Sequence, residues 1–293
     1  MSENHPNWRP ARIPGQRGHR FMRGRGGLAF FTFVAVLVLM LTSFAGASAG
    51  PSAQPQGPPQ DIQGEHRRQD DRDNRKGVRA PDSRQRSLAA QKGAHVRWNN
   101  FGTPAVLRAD SGFIDTVLPG DEVAAARAWV LQNRELFHLS EQGVADLELI
   151  YSAPIGKGRA VLFRQRFGNL PTGHDGLLSM AVVDGKLAYV SSSIAGDGNA
   201  PGPATVSAKD AVATAAADAG RAITSSQVSP GVTAGDTQQF LVKGFSHPAY
   251  VRLVAVPTPL QGVRPAWEIT LIDNTAEPLA FTSYVDAQTN DVL

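Results

Sequence analysis

Two alternating runs, 177–183 and 186–191, meet across Asp184-Gly185. This junction restricts the fold more tightly than anything else in the chain. A two-residue hairpin turn of type I′ needs positive φ at both central positions, and Asp-Gly meets that need better than most pairs. A third run lies upstream. It places Val161, Phe163, Gln165 and Phe167 on one face and Leu162, Arg164 and Arg166 on the other. A period of two marks a half-buried strand. The segment 168–173, Gly-Asn-Leu-Pro-Thr-Gly, has the residues of a loop. The stretch 160–190 is therefore expected to form an antiparallel meander with one covered and one wet face.

The rest of the chain repeats a theme around this meander. Asp121 is a helix N-cap candidate. After it, Val123, Ala126, Val130 and Phe137 share a face, Trp129 and Leu136 flank them, and Arg127, Gln132, Arg134 and Glu135 look outward. Strands follow near 146–151 and 160–167, then the hairpin. Residues 195–206 are a Gly/Pro linker. Ser207 with Asp210 opens a second helix that Gly220 ends, and strands near 239–243, 250–256, 265–272 and 279–285 come after it. The expected fold class is α+β. It consists of two small domains in series, 94–195 and 205–293, each a helix on an antiparallel sheet of about four strands. A tryptophan buried beneath either helix, Trp129 or Trp267, contributes on the order of 2–3 kcal/mol.

The N-terminal segment carries an address. Arg9, Arg12, Arg17, Arg20, Arg23 and Arg25 precede an apolar run from Leu28 to Ala45, and Ala47-Ser-Ala49 is a small-x-small cleavage pattern before Gly50. This is the order of a Sec-type signal peptide over 1–49, without a twin-arginine pair. The expected location is extracellular, with an uncleaved membrane anchor as the alternative, since the run approaches the ~20 residues of a span. Residues 50–93 are rich in Pro, Gln, Arg and Asp and poor in large apolar residues, so a disordered linker is expected. From Trp98 onward there are 13 basic and 19 acidic residues, a net −6. That sign argues against nucleic acid or an anionic membrane surface as partner. The absence of cysteine excludes disulfides, thiolate metal sites and a cysteine nucleophile.

Motifs for chemistry are scarce. No His-Glu-x-x-His string occurs, and His95, His138, His174 and His247 are widely spaced. Gly244-Phe-Ser246-His-Pro lacks the second glycine of a nucleophile elbow. Asp197-Gly-Asn199 lacks the spacing and closing Glu of a calcium loop. Asp121-Glu122 reads as charge at a helix N-terminus, and Gly156-Lys-Gly158 is too short to cradle phosphate. No catalytic or metal-binding residues are expected in this chain.

Other strings carry a resemblance. The helix Ala124-Ala-Ala-Arg-Ala-Trp129 with Leu136-Phe-His-Leu139, then Phe163-Arg-Gln165, Leu170-Pro171 and Val183-Asp-Gly-Lys-Leu187, resemble the fungalysin/thermolysin propeptide domain. The 96–104 stretch is similar to the start of bacterial fungalysin prosequences. Ala266-Trp-Glu268, Tyr284-Val-Asp286-Ala and Asp291-Val-Leu resemble the PepSY-like peptidase-associated domain that follows it. At Thr172-Gly-His174-Asp-Gly the chain departs from the family, which has an apolar and an aromatic residue there.

The resemblance implies a non-catalytic exported prosequence. It would act as inhibitor and intramolecular chaperone of a fungalysin-like zinc metallopeptidase, in cis or in trans. The zinc would belong to a catalytic domain that these residues do not include. Trp129, Phe163, Trp267 and Asp286 are then structural, and Arg164, Gln165, Leu170, Pro171 and His174 are candidate contacts of the partner. An exposed sheet edge, or a loop such as 168–176, is expected to lie in a protease groove by strand addition. The alternative is a stand-alone secreted or membrane-anchored inhibitor or binding module.

Overall fold

The computed structural model describes residues 71–116, 120–275 and 278–293. The export segment, the cleavage residues Ala47, Ala49 and Gly50, and positions 50–70 of the expected linker lie outside the described residues.

The chain enters as an extended strap, 71–81, and then forms α1 (Ser83–Gln91). A capping box starts this helix. The Asp82 carboxylate accepts from the Gln85 amide at 2.7 Å, and Gln85 Oε1 accepts from the Asp82 amide at 2.9 Å. Gln85 and Ala89 are buried, and Gln85 Nε2 donates to the Leu136 carbonyl at 2.8 Å. This corrects the expectation of disorder through residue 93. The composition argument weighed large apolar side chains, whereas α1 is held by a cap, an alanine and a buried amide.

The strands β1 (Ala94–Trp98) and β2 (Pro104–Ala109) flank a loop governed by Asn99. Its Oδ1 accepts from Phe101 and Thr103 amides, and its Nδ2 donates to Thr103 Oγ1. Then come α2 (Glu122–Gln132), a 3-10 turn (Arg134–Phe137) and α3 (Glu141–Ala145). Asp121 caps α2 as expected, accepting from Ala124 at 2.8 Å. Four longer strands, β3 (Glu148–Ile155), β4 (Gly158–Arg164), β7 (Leu177–Val183) and β8 (Lys186–Ser192), complete the sheet. Between β4 and β7 lies a small hairpin of β5 (Arg166–Phe167) and β6 (Leu170–Pro171). The first sheet is six-stranded, in the order β1-β2-β8-β7-β4-β3, and antiparallel throughout. At its hairpin turn Asp184 has φ 50° and Gly185 φ 66°, as a type I′ turn requires.

Under α2 lies the first core. Trp129 is fully buried against Leu136, Phe137, Phe163, Leu178 and Met180, with its ring edge-on to Phe137 at 6.3 Å. Arg127 was expected to face solvent. Instead its guanidinium sits 4.8 Å from the Phe163 ring centroid and donates to the Val144 carbonyl at 2.6 Å and the Leu147 carbonyl at 2.7 Å. It adds a donor to the Val144 carbonyl at the end of α3 and supplies one to the Leu147 carbonyl just beyond it, bonds that offset taking the charge partly out of water.

The second half opens with α4 (Ala208–Asp218). Ser207 caps it, and Gly220 at φ 79° closes it as a Schellman turn, with Gly220 N to Ala217 O at 2.9 Å and Arg221 N to Ala216 O at 2.8 Å. The helix covers a five-stranded antiparallel meander of β9 (Val228–Ala234), β10 (Thr237–Val242), β11 (Ala249–Thr258), β12 (Gly262–Asp273) and β13 (Leu279–Asp286). The α+β class and the two antiparallel sheets are as expected, but with six and five strands in place of about four. β9, Val-Ser-Pro-Gly-Val-Thr-Ala, escaped the sequence reading because it is an edge strand with no alternation of burial.

Candidate functional site

The loop 165–176 joins the two halves. Gln165, 4% exposed, organises it. Its Nε2 donates to the Gly196 carbonyl at 2.9 Å, and its Oε1 accepts from the Ala195 amide at 2.9 Å. Its backbone closes the loop, with Gln165 N to Gly176 O at 2.7 Å and Thr172 N to Gln165 O at 3.2 Å.

β10 pairs with β11 only as far as Val251, so the rest of that edge of β11 lacks β10 beside it. Thr172 bridges to Ala255 there in parallel, and Gly173 N donates to the Ala255 carbonyl at 3.1 Å. Tyr284 Oη donates to the Gly173 carbonyl at 3.1 Å. A side chain at Gly173 would collide, since a Cβ there would lie 2.6 Å from Val254 Cγ2 and 2.7 Å from Tyr284 Cε1.

The partner contacts expected from sequence are therefore placed as follows. Gln165 and Pro171 are buried, and Leu170 is half-buried in the β5–β6 pair. Arg164 and Arg166 both bind Glu148 Oε2, at 2.9 and 3.2 Å. Burial pushes the Glu148 carboxyl up, but the bonds and charge of the two arginines outweigh it and hold it below the usual range. His174 is exposed, with its ring 5.6 Å from that of Tyr284. Loop 168–176 is seated within the chain at Thr172 and Gly173, while Gly168, Asn169 and His174 are exposed. A single parallel bridge, Thr172 to Ala255, holds it against β11 of the same chain. The signal that could have shown this is the length of β11 and β12, ten and twelve residues against six for β10.

The family-motif residues hold the architecture. Trp129 and Phe163 are fully buried. Trp267 packs at the start of α4 and donates Nε1 to the Val206 carbonyl at 2.9 Å. Asp286 accepts from Arg264 at 2.6 Å and from the amides of Gln288 and Thr289 at 2.8 and 3.1 Å. Burial raises its pKa, and those donors more than offset this, leaving it lowered.

The sequence reading missed Arg75. Its side chain, 7% exposed, sits between the halves. Nη1 donates to Asp175 Oδ2 at 2.7 Å and to the Pro257 carbonyl at 2.8 Å, and Nε and Nη2 bind Asp73. Desolvation pulls Arg75 down, but the two carboxylates win and raise it.

The four histidines named above lie in four separate places. His95 pairs with Asp110, His138 takes a left-handed turn at φ 51°, His174 lies over Tyr284, and His247 Nδ1 is 2.9 Å from Ser246 Oγ. Ser246 and His247 thus meet, but the buried Asp273 carboxylate is spent on the Ser246 amide at 3.1 Å and on Thr275 Oγ1 at 2.8 Å, not on the imidazole. A hydrolytic triad needs the carboxylate on the ring nitrogen away from serine. Among the described residues no group of three or more His, Asp or Glu is placed to hold a metal, and no helix is long and apolar enough to cross a membrane.

The face of the second sheet away from α4 is covered by loop 168–176 around Val254 and Tyr284 and is open beside it, near Tyr250. It holds a shallow depression of about 230 Å³ lined by Thr237, Tyr250, Val251, Arg252, Glu268 and Thr270. Arg252 and Glu268 form a two-point ion pair at 2.8 and 3.0 Å. Tyr284 stands beside them, its pKa raised by burial and by the Glu268 carboxylate.

No family model matches the chain, and no curated protein matches it. Among solved structures it is similar to the Bacillus megaterium YpeB C-terminal domain, at 11% identity over 74% of this chain and 98% of that one. The TM-score, 0.28, is too low to carry fold or function across.

Proposed function

We propose that this chain is an exported, non-catalytic prosequence that inhibits a fungalysin-like zinc metallopeptidase and assists its folding. The observation that carries the reading is the placement of the motif residues. Trp129, Phe163, Gln165, Trp267 and Asp286 occupy the two cores, the seam and the terminal turn, so the strings shared with the family are those that build its two units. A module of this kind acts by presenting a surface. With the middle of loop 168–176 seated within the chain, the ground open to a peptidase is the outer face of the second sheet around Tyr250, Arg252 and Glu268. A tethered inhibitor needs only modest contacts there, because linkage supplies effective concentrations of about a millimolar.

The test is kinetic. The purified chain is added to a fungalysin-type endopeptidase cleaving a quenched fluorescent peptide, and recovery of the denatured peptidase is followed with and without the chain. Saturable inhibition and faster recovery are expected. Unchanged turnover and recovery with the chain at about 1 mM, the concentration that linkage supplies, would refute the proposal.

A further inference from the structure

We propose that the strap 71–81 is a clasp. Through Arg75 it fixes the orientation of the two sheets, and breaking its ion pairs lets the halves part while each stays folded. This stands apart from the proposed inhibitory role and is tested without a peptidase.

Three observations support it. First, the cores beneath α2 and α4 share no member, so both stay intact if the seam opens, and the exposure gained falls on the small cluster of Val254, Val256 and Ala266 beside loop 168–176. Second, the strap is bonded to both halves. Asn74 Nδ2 donates to the Val292 carbonyl of the second half at 3.2 Å, and Arg79 N donates to the Asn100 carbonyl of the first at 2.8 Å. Third, Arg75 lies between these points, and one nitrogen takes a carboxylate from the first half and a carbonyl from the second. Asp73 fixes the fork from behind, and the guanidinium lies 5.7 Å from the Phe101 ring centroid. No single apolar side chain can replace this group, since it satisfies a carboxylate and a carbonyl together.

The chain has no cysteine, so K157C and K243C, in exposed turns of the first and second halves, accept spin labels at those two places alone. Distances between the labels are measured in the full-length chain by double electron–electron resonance. Removing one partner of a desolvated pair shifts the closed-to-open ratio by on the order of 100-fold. The expected result is one narrow distance with Arg75 present and a broadened distribution in R75Q and in D175N. The double variant is expected to be no broader than the broader single one, because the two residues share the interaction. Far-UV circular dichroism stays unchanged. Narrow distributions in both single variants overturn the clasp. So does loss of the dichroism signal in both, which would make the cluster a requirement for folding.

Discussion

Replacing Gln165 by leucine separates an internal role from a partner-facing one. The amide makes two side-chain bonds, to the Ala195 N–H and the Gly196 carbonyl, both at 2.9 Å, from a residue 4% exposed. Leucine is of similar size and leaves both backbone groups without their partner. A buried group so stranded costs about 1–3 kcal/mol, so Q165L should lose roughly 2–5 kcal/mol. Urea unfolding followed by tryptophan fluorescence reads this as a lower midpoint at unchanged slope. Q165E sharpens the test. Its carboxylate still accepts from Ala195 but faces the Gly196 carbonyl, so folding favours the protonated acid and raises its pKa. The stability of Q165E is then fullest below the ordinary glutamate value of about 4.3 and falls as pH rises through the raised folded value. Q165E should therefore lie nearest the parent in acid and furthest from it at neutral pH. A loss under about 0.5 kcal/mol for Q165L, the range of ordinary surface changes, would refute the internal role.

W129A should cost about 3–5 kcal/mol, through the cavity and the lost bond from Nε1 to Asp115, and should flatten the near-UV dichroism. D286N weakens the grip on Arg264 and on the 288–289 turn. Because the folded pKa of Asp286 is lowered, its contribution is present at neutral pH and lost as pH falls below about 4, so the parent and D286N stability curves should converge in acid. G173A drives a methyl into Val254 and Tyr284 and should raise hydrogen exchange at the Ala255 and Gly173 amides while the α2 and α4 amides stay protected. R127M should lose about 1–3 kcal/mol, with faster exchange in α3, since it removes the side-chain donor from the Leu147 carbonyl and leaves Val144 with its backbone donor alone.

Much of the fold was legible because its signals are local. The Asp184-Gly185 turn, the caps at Asp121 and Ser207 and the stop at Gly220 each act within a few residues, and the period of two marks the strands near 160–167, 177–183 and 186–191. The misses share a cause, which is pairing across long sequence distance. Arg75 contacts Asp175 and Pro257, partners 100 and 182 residues away that the composition of 50–93 does not reveal. Arg127 was placed outside because a helical wheel does not show that the end of a second helix lies above it. Gln165 was correctly put on the covered face beside Phe163. Its bonds to 195 and 196 depend on where the linker begins, which periodicity does not show.

The β11–β12 hairpin is bare on one side near Tyr250 and enclosed on both sides from Val254 to Thr258, where Val254, Val256 and Ala266 meet Tyr284 and Leu293. Below its exposed tip, loop 168–176 of the opposite half lies against this stretch, with Thr172 bridging to Ala255 and Gly173 seated on Val254. Melting of the first sheet would therefore bare aliphatic surface that belongs to the second. A trim as small as Val254→Ala, beneath Gly173, should consequently loosen the joint, so that the two separately cored bodies lose order one after the other instead of in step.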